Sequence, residues 1–415
     1  MVEIFPAVEK CIVMRNVFLL LSVVLICCSG TAEGSVRVDN KHFSVENAVK
    51  NCKEVKLGRY AREIEYIPLE TTPESVMGYV PRFDFDGKYY YVQTQEESVL
   101  VFDTSGKFVR TVDRKGRGPK EYLSIQGLSV EHDLNSDFCI FDDFKILSCY
   151  VENSNVRVIR PDIQGGSTIR YGAYLEKGNY AFTAAIMVDK LKYLQKVFVV
   201  DTMSKVVFSY ELSEEGSYCM KGAFLGDMDI VCPDLVYSFN GALRVFNGMG
   251  DRLTLFSTDF KELSNYIFDF GKYKRDVITK DGGDRLRFDV NFNSVKECAS
   301  FIRISLLGNK YSLSGIYSRG SDSEFKKGVM ILDKVSNELY TMPYNYEFKA
   351  HGFVNDIDGG APFDPQHCIG NKMYQIIAAD KFIEYATKSN SPKMKEIAAT
   401  LTEESNPVLV VATLK

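Results

Sequence analysis

This chain of 415 residues contains no tryptophan, and it also lacks the sequence motifs that are typical of common catalytic centres. No G-x-S-x-G occurs, so a serine hydrolase of that type has no support. No C-x-x-C occurs, which removes the usual signature of redox and zinc sites. The four histidines form neither H-x-x-x-H nor H-E-x-x-H, the spacings of common zinc enzymes. The sequence therefore contains no complete catalytic motif.

Positive charge is not in excess either. Lysine and arginine number 50 against 55 acidic residues, and the formal net charge is −5. A protein with a negative net charge has no overall electrostatic attraction for a polyanion such as DNA or RNA. We therefore expect no nucleic-acid partner.

Cysteine is present but scattered. Three of the ten cysteines stand within the first 28 residues. The other seven are widely separated and do not have the spacing of metal ligands. Cys139, Cys149, Cys232 and Cys298 lie in apolar stretches, where cysteine usually packs as a small hydrophobe. One disulfide is compatible with an oxidising compartment, but the pattern does not choose its pair.

A long hydrophobic run occurs once, near the N-terminus. Arg15 precedes an apolar segment from Val17 to Ile26, which is too short for a permanent membrane span and typical of a signal peptide. The following "LICC" resembles a bacterial lipobox with Cys28 as the lipidated residue. We expect residues 1–28 to be the signal segment, residues 29–61 to be a tether, and the protein to be lipid-anchored in the cell envelope, at the outer membrane or facing the periplasm. The alternative is ordinary secretion with cleavage near Ala32.

The remaining sequence repeats a plan of short strands. Aromatic residues are 28 Phe and 24 Tyr, which favour strands. Apolar residues alternate, and turns contain Ser, Gly or Asn, as in β-hairpins. Tyr150 repeats the position of Phe102 after 48 residues. Six units follow this plan, at residues 88–112, 137–159, 195–212, 241–268, 326–343 and 370–386.

A repeat of about 40–50 residues with several short strands is typical of propeller blades. The sequence predicts an all-β fold, a six-bladed β-propeller over residues 62–415. Residues 62–70 and 406–415 are strand-like, and we expect them to share one blade and close the ring. A pair of β-sandwiches or two smaller barrels is the alternative. Residues 391–405 predict one helix, with Ser391 as its cap and Pro392 in its first turn.

The stretch "RTVDRKGRGPKEY" at residues 110–122 has five basic residues but not the spacing of a phosphate-binding loop. We interpret it as a corner between blades. Gly116 and Gly118 are expected to supply unusual φ values, Pro119 to fix the next residue, and Tyr122 to pack between the blades.

This stretch resembles the G-x-G-P-x-E/Q-[FY] loop of NHL-type repeats. From about residue 63 to the end, the chain is similar to the six-bladed β-propeller lipoproteins of Gram-negative bacteria, through "YIPLETTPESVMG", the GRGP loop, "NDIDGGAPFDP" and "NPVLVVATLK" in that order. Asp364 departs from the family pattern, which would place an aromatic there. NHL-type propellers include both binding proteins and enzymes, so the resemblance implies the fold rather than one activity.

Candidate ligand-binding residues lie in loops that the repeat assigns to one mouth of the ring: Arg82, Arg114, Arg117, His351, Asp356 and Asp358. Guanidinium and carboxylate groups together favour a polar or charged ligand, a glycan or an envelope protein. The loop at residues 355–365 has part of a calcium-loop pattern, so a divalent metal is an alternative, although we expect no cofactor.

The leading hypothesis is a membrane-anchored binding module. The alternative is a metal-assisted lyase or hydrolase with its site at the central channel.

Overall fold

The computed structural model describes residues 38–415 except 135, 154, 164–167, 190–191, 213–235, 248–250, 274, 281–282 and 310–324. The chain divides into two compact units, Met1–Asp39 and Asn40–Lys415. Only residues 38 and 39 of the first are described, so Cys28 and the rest of the signal segment lie outside the described residues. Within the described ranges, no helix is long and apolar enough to cross a membrane.

Six antiparallel sheets form six blades, which confirms the predicted all-β six-bladed propeller. Two strands precede the first complete blade: β1 (Asp39–Ser44) and β2 (Ala61–Pro68). Blades 1 to 3 contain β3 (Arg82–Phe85), β4 (Tyr89–Gln93), β5 (Val99–Asp103) and β6 (Phe108–Val112); β7 (Gly127–Val130), β8 (Phe138–Phe141), β9 (Ile146–Cys149) and β10 (Val156–Ile159); and β11 (Ile169–Leu175), β12 (Asn179–Asp189), β13 (Lys192–Val200) and β14 (Val206–Glu211).

In blades 4 to 6, as in blades 1 to 3, the first three strands of each blade follow one another along the chain from the innermost strand outwards. A separate hairpin is inserted between blades 4 and 5. In chain order the strands are β15 (Val236–Phe239), β16 (Ala242–Asn247), β17 (Arg252–Phe256) and β18 (Glu262–Asp269); the hairpin β19 (Arg275–Lys280) and β20 (Gly283–Phe288); β21 (Val290–Glu297), β22 (Phe301–Asn309), β23 (Phe325–Asp333) and β24 (Glu338–Met342); and β25 (His367–Ile369), β26 (Lys372–Ile377) and β27 (Val408–Leu414).

Blade 6 is built from both ends of the propeller sequence. Its strand order is β2-β27-β26-β25. β2 pairs antiparallel with β27, with Ile64 opposite Ala412 and Tyr66 opposite Val410. Every residue of β27 is buried. The first and last strands of the ring are therefore hydrogen-bonded neighbours.

The segment that precedes β2 belongs to the residues expected to be a tether with a little order. From residue 38 onwards it contains β1, helix α1 (Val45–Lys50) and a 3-10 helix (Leu57–Arg59). β1 is the fifth, outermost strand of blade 4. Val45 and Ala48 of α1 are buried in a cluster with Phe268 of blade 4. This burial of apolar side chains explains why the segment folds onto the ring.

The core is divided among the contacts between neighbouring blades. In the described part of the chain, each of six buried hydrophobic clusters joins two adjacent blades around the ring. Between blades 1 and 2, for example, the rings of Tyr91 and Phe138 lie 4.7 Å apart. Both faces of a blade are thus covered, which explains why its strands are apolar on both sides.

A carboxylate organises several of the turns between the third and fourth strands of a blade. The Asp103 side chain accepts the backbone N–H groups of Ser105 and Lys107, and Asp201 does the same for Met203 and Lys205. Gly106 has a φ of 85° in the first of these turns, where a side chain would be strained. This Asx-turn chemistry is the physical basis of the acidic position seen in the repeat.

Two helices lie between β26 and β27. The predicted one, α3 (Pro392–Ala398), begins where expected, since the Ser391 hydroxyl accepts the Met394 N–H at 3.1 Å. The other, α2 (Ala379–Lys388), occupies the end of the sixth repeat unit, which we expected to be strand. Its buried Phe382, Tyr385 and Ala386 have helical rather than alternating spacing.

One disulfide, Cys298–Cys368, joins blades 5 and 6. Cys298 is buried in an apolar cluster as expected, and it is also one partner of the disulfide whose pair the sequence pattern did not choose. Cys139 and Cys149 are free and buried as expected. Burial raises the pKa of the Cys149 thiol to about 12. Cys232 lies outside the described residues.

Candidate functional site: the central channel

The innermost strands of all six blades surround a central channel with a volume of about 770 Å³. Each of these strands is at one edge of its sheet, so one row of its side chains meets the axis. The charged and histidine residues in the channel wall are Arg82, Asp84, Asp86, His132, Glu176, Lys296, Glu297, His367 and Lys372. A volume of this size is typical of small-molecule sites.

Arg82 and Asp84 stand two residues apart on β3 and therefore on the same face of the strand. The Arg82 guanidinium donates to the Gln126 carbonyl at 2.8 Å and to Gln93 Oε1 at 3.3 Å. Asp84 accepts the Val130 N–H at 2.8 Å. Burial raises the pKa of Asp84. The pair places a donor and an acceptor side by side on the channel wall.

Aromatic rings form another part of the wall. Phe83 and Phe85 each contact Tyr374, with ring centroids 5.2 Å and 6.0 Å apart. The buried Tyr374 hydroxyl has no hydrogen-bond partner among the described residues. Burial raises its pKa, so the hydroxyl stays protonated and remains a donor.

A buried ionic cluster closes the wall between blades 4 and 5. Glu297 accepts Arg244 Nε at 3.2 Å, Lys334 Nζ at 2.9 Å and the Tyr237 hydroxyl at 3.1 Å. The Lys334 ammonium also lies 4.3 Å from the centre of the Phe239 ring, a cation–π contact. Burial and the Glu297 carboxylate raise the pKa of Tyr237. Two cations face one carboxylate here, which favours negative charge in the adjoining channel.

A second cavity, of about 500 Å³, lies where blades 5 and 6 meet, and we call it the blade 5–6 cavity. Arg303 from β22 binds both oxygens of Asp364, with Nε–Oδ1 and Nη2–Oδ2 distances of 2.7 Å. Asp364 stands where the pattern of the similar family would place an aromatic residue. The ion pair gives its carboxylate a partner in the neighbouring blade. The cavity wall also contains His351, Gln366, Gln375, Lys327, Lys381, Tyr79 and Tyr385.

The six candidate ligand-binding residues do not meet in one cavity. Arg82 lines the central channel and His351 lines the blade 5–6 cavity. Arg114 is half-buried and Arg117 is exposed in the loop between blades 1 and 2, outside both cavities.

Asp356 and Asp358 share one loop but bind the protein itself. Asp356 accepts the Gly58 N–H at 2.8 Å. Asp358 accepts the hydroxyls of Tyr66 at 3.0 Å and Ser391 at 2.6 Å. These contacts tie the loop to the first strand of the ring and to the start of α3.

The GRGP loop turns a corner between blades 1 and 2. Tyr122 is fully buried between these blades and donates its hydroxyl to the Glu97 carbonyl at 2.7 Å. The expected reason for the glycines needs correction, because neither has a positive φ. A Cβ at Gly116 or Gly118 would instead collide with the Glu121 side chain, whose carboxylate accepts the Gly118 N–H at 2.7 Å.

Sequence reasoning missed most of the channel wall. Glu176, Tyr374 and the Glu297 cluster belong to strands or their ends, whereas the candidates came from loops. The first strand of each repeat would have been the useful signal, since that strand faces the axis in every blade.

Metal ligands do not gather in the described part of the chain. No three His, Cys, Asp or Glu side chains lie close enough there to hold an ion. Although acidic or histidine residues from five blades line the channel, they are distributed around its wall. The donor set therefore does not fit a metal centre in these residues.

Comparison with known structures supports the architecture. A Bacteroides fragilis NCTC 9343 protein described as exported aligns with a TM-score of 0.61 and 14% identity, over 91% of this chain and 99% of that one. Weaker similarities include a Streptogramin B lyase, with a TM-score of 0.36, 8% identity and coverage of 85% and 98%. A Bacteroides thetaiotaomicron VPI-5482 protein aligns with a TM-score of 0.40 and 7% identity, over 90% of this chain and 74% of that one. At 14% identity, the similarity to the Bacteroides fragilis protein bears on the fold alone.

No functionally curated protein matches the sequence. A family model matches residues 40–413, a range that begins within β1 and ends within β27. The chain belongs to the family described as Domain of unknown function (DUF4934).

Proposed function

We propose that this protein is an exported binding module of the cell envelope that holds a small polar ligand in its central channel. The observation that carries the proposal is the channel itself, about 770 Å³ in volume and lined by all six blades. Its wall combines aromatic rings and charges of both signs. Concave sites with a few fixed polar groups are typical of ligand recognition.

The cellular location is part of the same proposal. The structural similarity to an exported Bacteroides protein and the lipobox-like "LICC" support export with an anchor at Cys28. The NHL-type character of the repeats remains a proposal, supported by the GRGP loop and its buried Tyr122.

The alternative of a metal-assisted lyase or hydrolase receives no support from the described residues, whose potential ligands do not cluster. A binding role needs only the wall that is present. Outside the channel, the proposed binding partner is a glycan, a peptide or another envelope protein.

A binding screen tests the channel. Neutral and charged oligosaccharides and peptides would be screened by thermal shift with the purified protein, and the affinity of any hit measured by calorimetry. Arg82→Gln should weaken binding about tenfold, because a charge-assisted hydrogen bond contributes about 1.5–3 kcal/mol.

Arg117→Gln is the matched control, since this exposed arginine lies outside the channel. It should leave the affinity unchanged. Loss of binding in Arg117→Gln, with Arg82→Gln unaffected, would move the site to the loop between blades 1 and 2. Absence of any hit would count against a small-molecule channel.

A further inference from the structure

The blade 5–6 cavity has an excess of positive charge. Arg303, Lys327 and Lys381 contribute to its wall, and the carboxylate of Asp364 opposes them. Lys381 Nζ lies 2.9 Å from Glu384, but Glu384 also binds Lys388 at 2.7 Å. Lys327 is exposed and makes no ion pair with any residue that the structure describes. Among the described residues, an anion entering the cavity would therefore meet a cation that no described carboxylate neutralises.

A buried amide supplies a second, independent feature. Gln375 is only 6% exposed, and its side-chain oxygen accepts the Asp364 N–H at 3.1 Å. Its amide nitrogen makes no hydrogen bond within the described residues. Because the oxygen is held by the backbone, the NH₂ group is the end available to the cavity. A ligand acceptor that reaches this NH₂ group would gain a hydrogen bond, which typically contributes about 0.5–1.5 kcal/mol.

Gln366 repeats this arrangement on the same wall. Its side-chain oxygen accepts the Ile376 N–H at 2.9 Å, which leaves its NH₂ group as a further donor. Arg303 and Asp364 hold each other through two bonds of 2.7 Å, so their positions are fixed before a ligand arrives. Free lone pairs of Asp364 can accept hydroxyl groups. Fixed donors and acceptors around one cavity favour a ligand with several hydroxyls.

The rim adds an apolar surface. Tyr79 is 71% exposed although it borders the cavity, and Tyr385 forms part of the wall. An exposed aromatic ring next to polar groups provides a flat face for the apolar side of a sugar ring. The volume of about 500 Å³ is within the range of small-ligand sites.

From these contacts we infer that the blade 5–6 cavity binds an acidic sugar, a ligand with a carboxylate next to several hydroxyls. Lys327 and Lys381 attract the carboxylate, Gln375 and Asp364 bind hydroxyls, and Tyr79 packs against the ring. This site shares no residue with the central channel and does not depend on the function proposed for it.

Calorimetric titration with glucuronic acid tests the inference, with glucose and inorganic sulfate as reference ligands. The protein should bind glucuronic acid, and both reference ligands at least about tenfold more weakly, because each lacks either the charge or the hydroxyls. Lys327→Ala and Gln375→Glu should each weaken glucuronic acid binding about tenfold or more. The glutamate retains an acceptor for the Asp364 N–H but replaces the NH₂ donor with a repelling oxygen.

Lys205→Ala is the control for removing a lysine, since Lys205 is exposed on blade 3. This variant and Arg82→Gln should bind glucuronic acid as the unchanged protein does. The inference is overturned if glucuronic acid does not bind, if glucose or sulfate binds equally well, or if Lys327→Ala and Gln375→Glu bind normally. Thermal unfolding midpoints near that of the parent would show that both variants are folded.

Discussion

Cys298 and Cys368 are 70 residues apart in sequence, yet their Cα atoms lie 5.3 Å apart and their sulfurs are bonded. Cys298 directly follows β21, and Cys368 is within β25, so the bond joins the innermost strands of two adjacent blades. Both residues line the central channel. The disulfide thus fixes one side of the channel wall at the contact between blades 5 and 6.

Removing this disulfide should destabilise the ring. A cross-link over such a loop restricts the unfolded chain, and the double variant Cys298→Ser/Cys368→Ser should lose about 2–4 kcal/mol of unfolding free energy. Urea denaturation under oxidising conditions would measure the loss. Cys52→Ser is the control, because Cys52 is free and exposed, and its unfolding free energy should hardly change. Equal stability of the double variant and the parent would contradict a stabilising role.

Deleting residues 406–415 should destabilise the whole ring. The deletion removes β27, which pairs with both β2 and β26, and thereby exposes two strand edges. We expect a strongly lowered thermal midpoint for the entire transition. Deleting residues 38–44 is the control, because β1 is added outside a complete four-stranded blade and its loss should have a smaller effect. A truncation at the C-terminus that unfolds at the parent's midpoint would contradict ring closure by β27.

Asp333 should contribute an acid-sensitive part of the stability. Burial alone would raise its pKa, but hydrogen bonds from the Ser336 N–H, the Tyr60 hydroxyl and the Val335 N–H, together with the Arg59 guanidinium, lower it overall. A pKa below that of the unfolded chain, about 3.9, means that this stabilisation is complete above that pH. It is lost as the pH falls through the lower, folded-state pKa.

The variant Asp333→Asn should cost about 1.5–3 kcal/mol at neutral pH, because it replaces hydrogen bonds to a charged group. Chemical denaturation of both proteins at a series of pH values would give the difference in unfolding free energy. This difference should be constant above about pH 4 and shrink below it. A difference that stays constant down to the acid-unfolding limit would show that the carboxylate charge is not responsible.

Cys28→Ala should release the protein from the membrane. Several acyl chains on one cysteine hold a protein firmly in a membrane, whereas a single acyl chain holds it weakly. Alanine at position 28 cannot carry an acyl chain. Fractionation of cells that express the two forms would place the parent in the membrane fraction and the variant in the soluble fraction. Cys27→Ala is the matched control and should remain membrane-bound. A variant that stays with the membrane after a high-salt wash would contradict a lipid anchor at Cys28.

The sequence was informative about local features. Turn residues such as Gly106, the capping Ser391 and the buried Tyr122 each act within a few positions of their neighbours, so their patterns are legible in one chain. The alternation of apolar residues within the repeats had the same advantage, and it was sufficient for the six-bladed fold.

Contacts between blades were not legible in this way. Arg303 binds Asp364 across 61 residues, and Arg244 binds Glu297 across 53. Such pairs depend on how far each blade is rotated and shifted against the next, which the repeat period does not specify. The candidate site residues failed to converge for the same reason, since a loop position in one repeat does not determine the direction of its side chain.

The pairing of β2 with β27 also has a consequence in time. A ribosome makes about 5–20 residues per second, and β2 is complete some 340 residues before its partner, since it ends at Pro68 and β27 begins at Val408. Until then the edge of β2 stays open to other chains. The nascent protein therefore carries an unpaired β2 edge until β27 appears, and a chaperone that covers strand edges would be most useful during that interval.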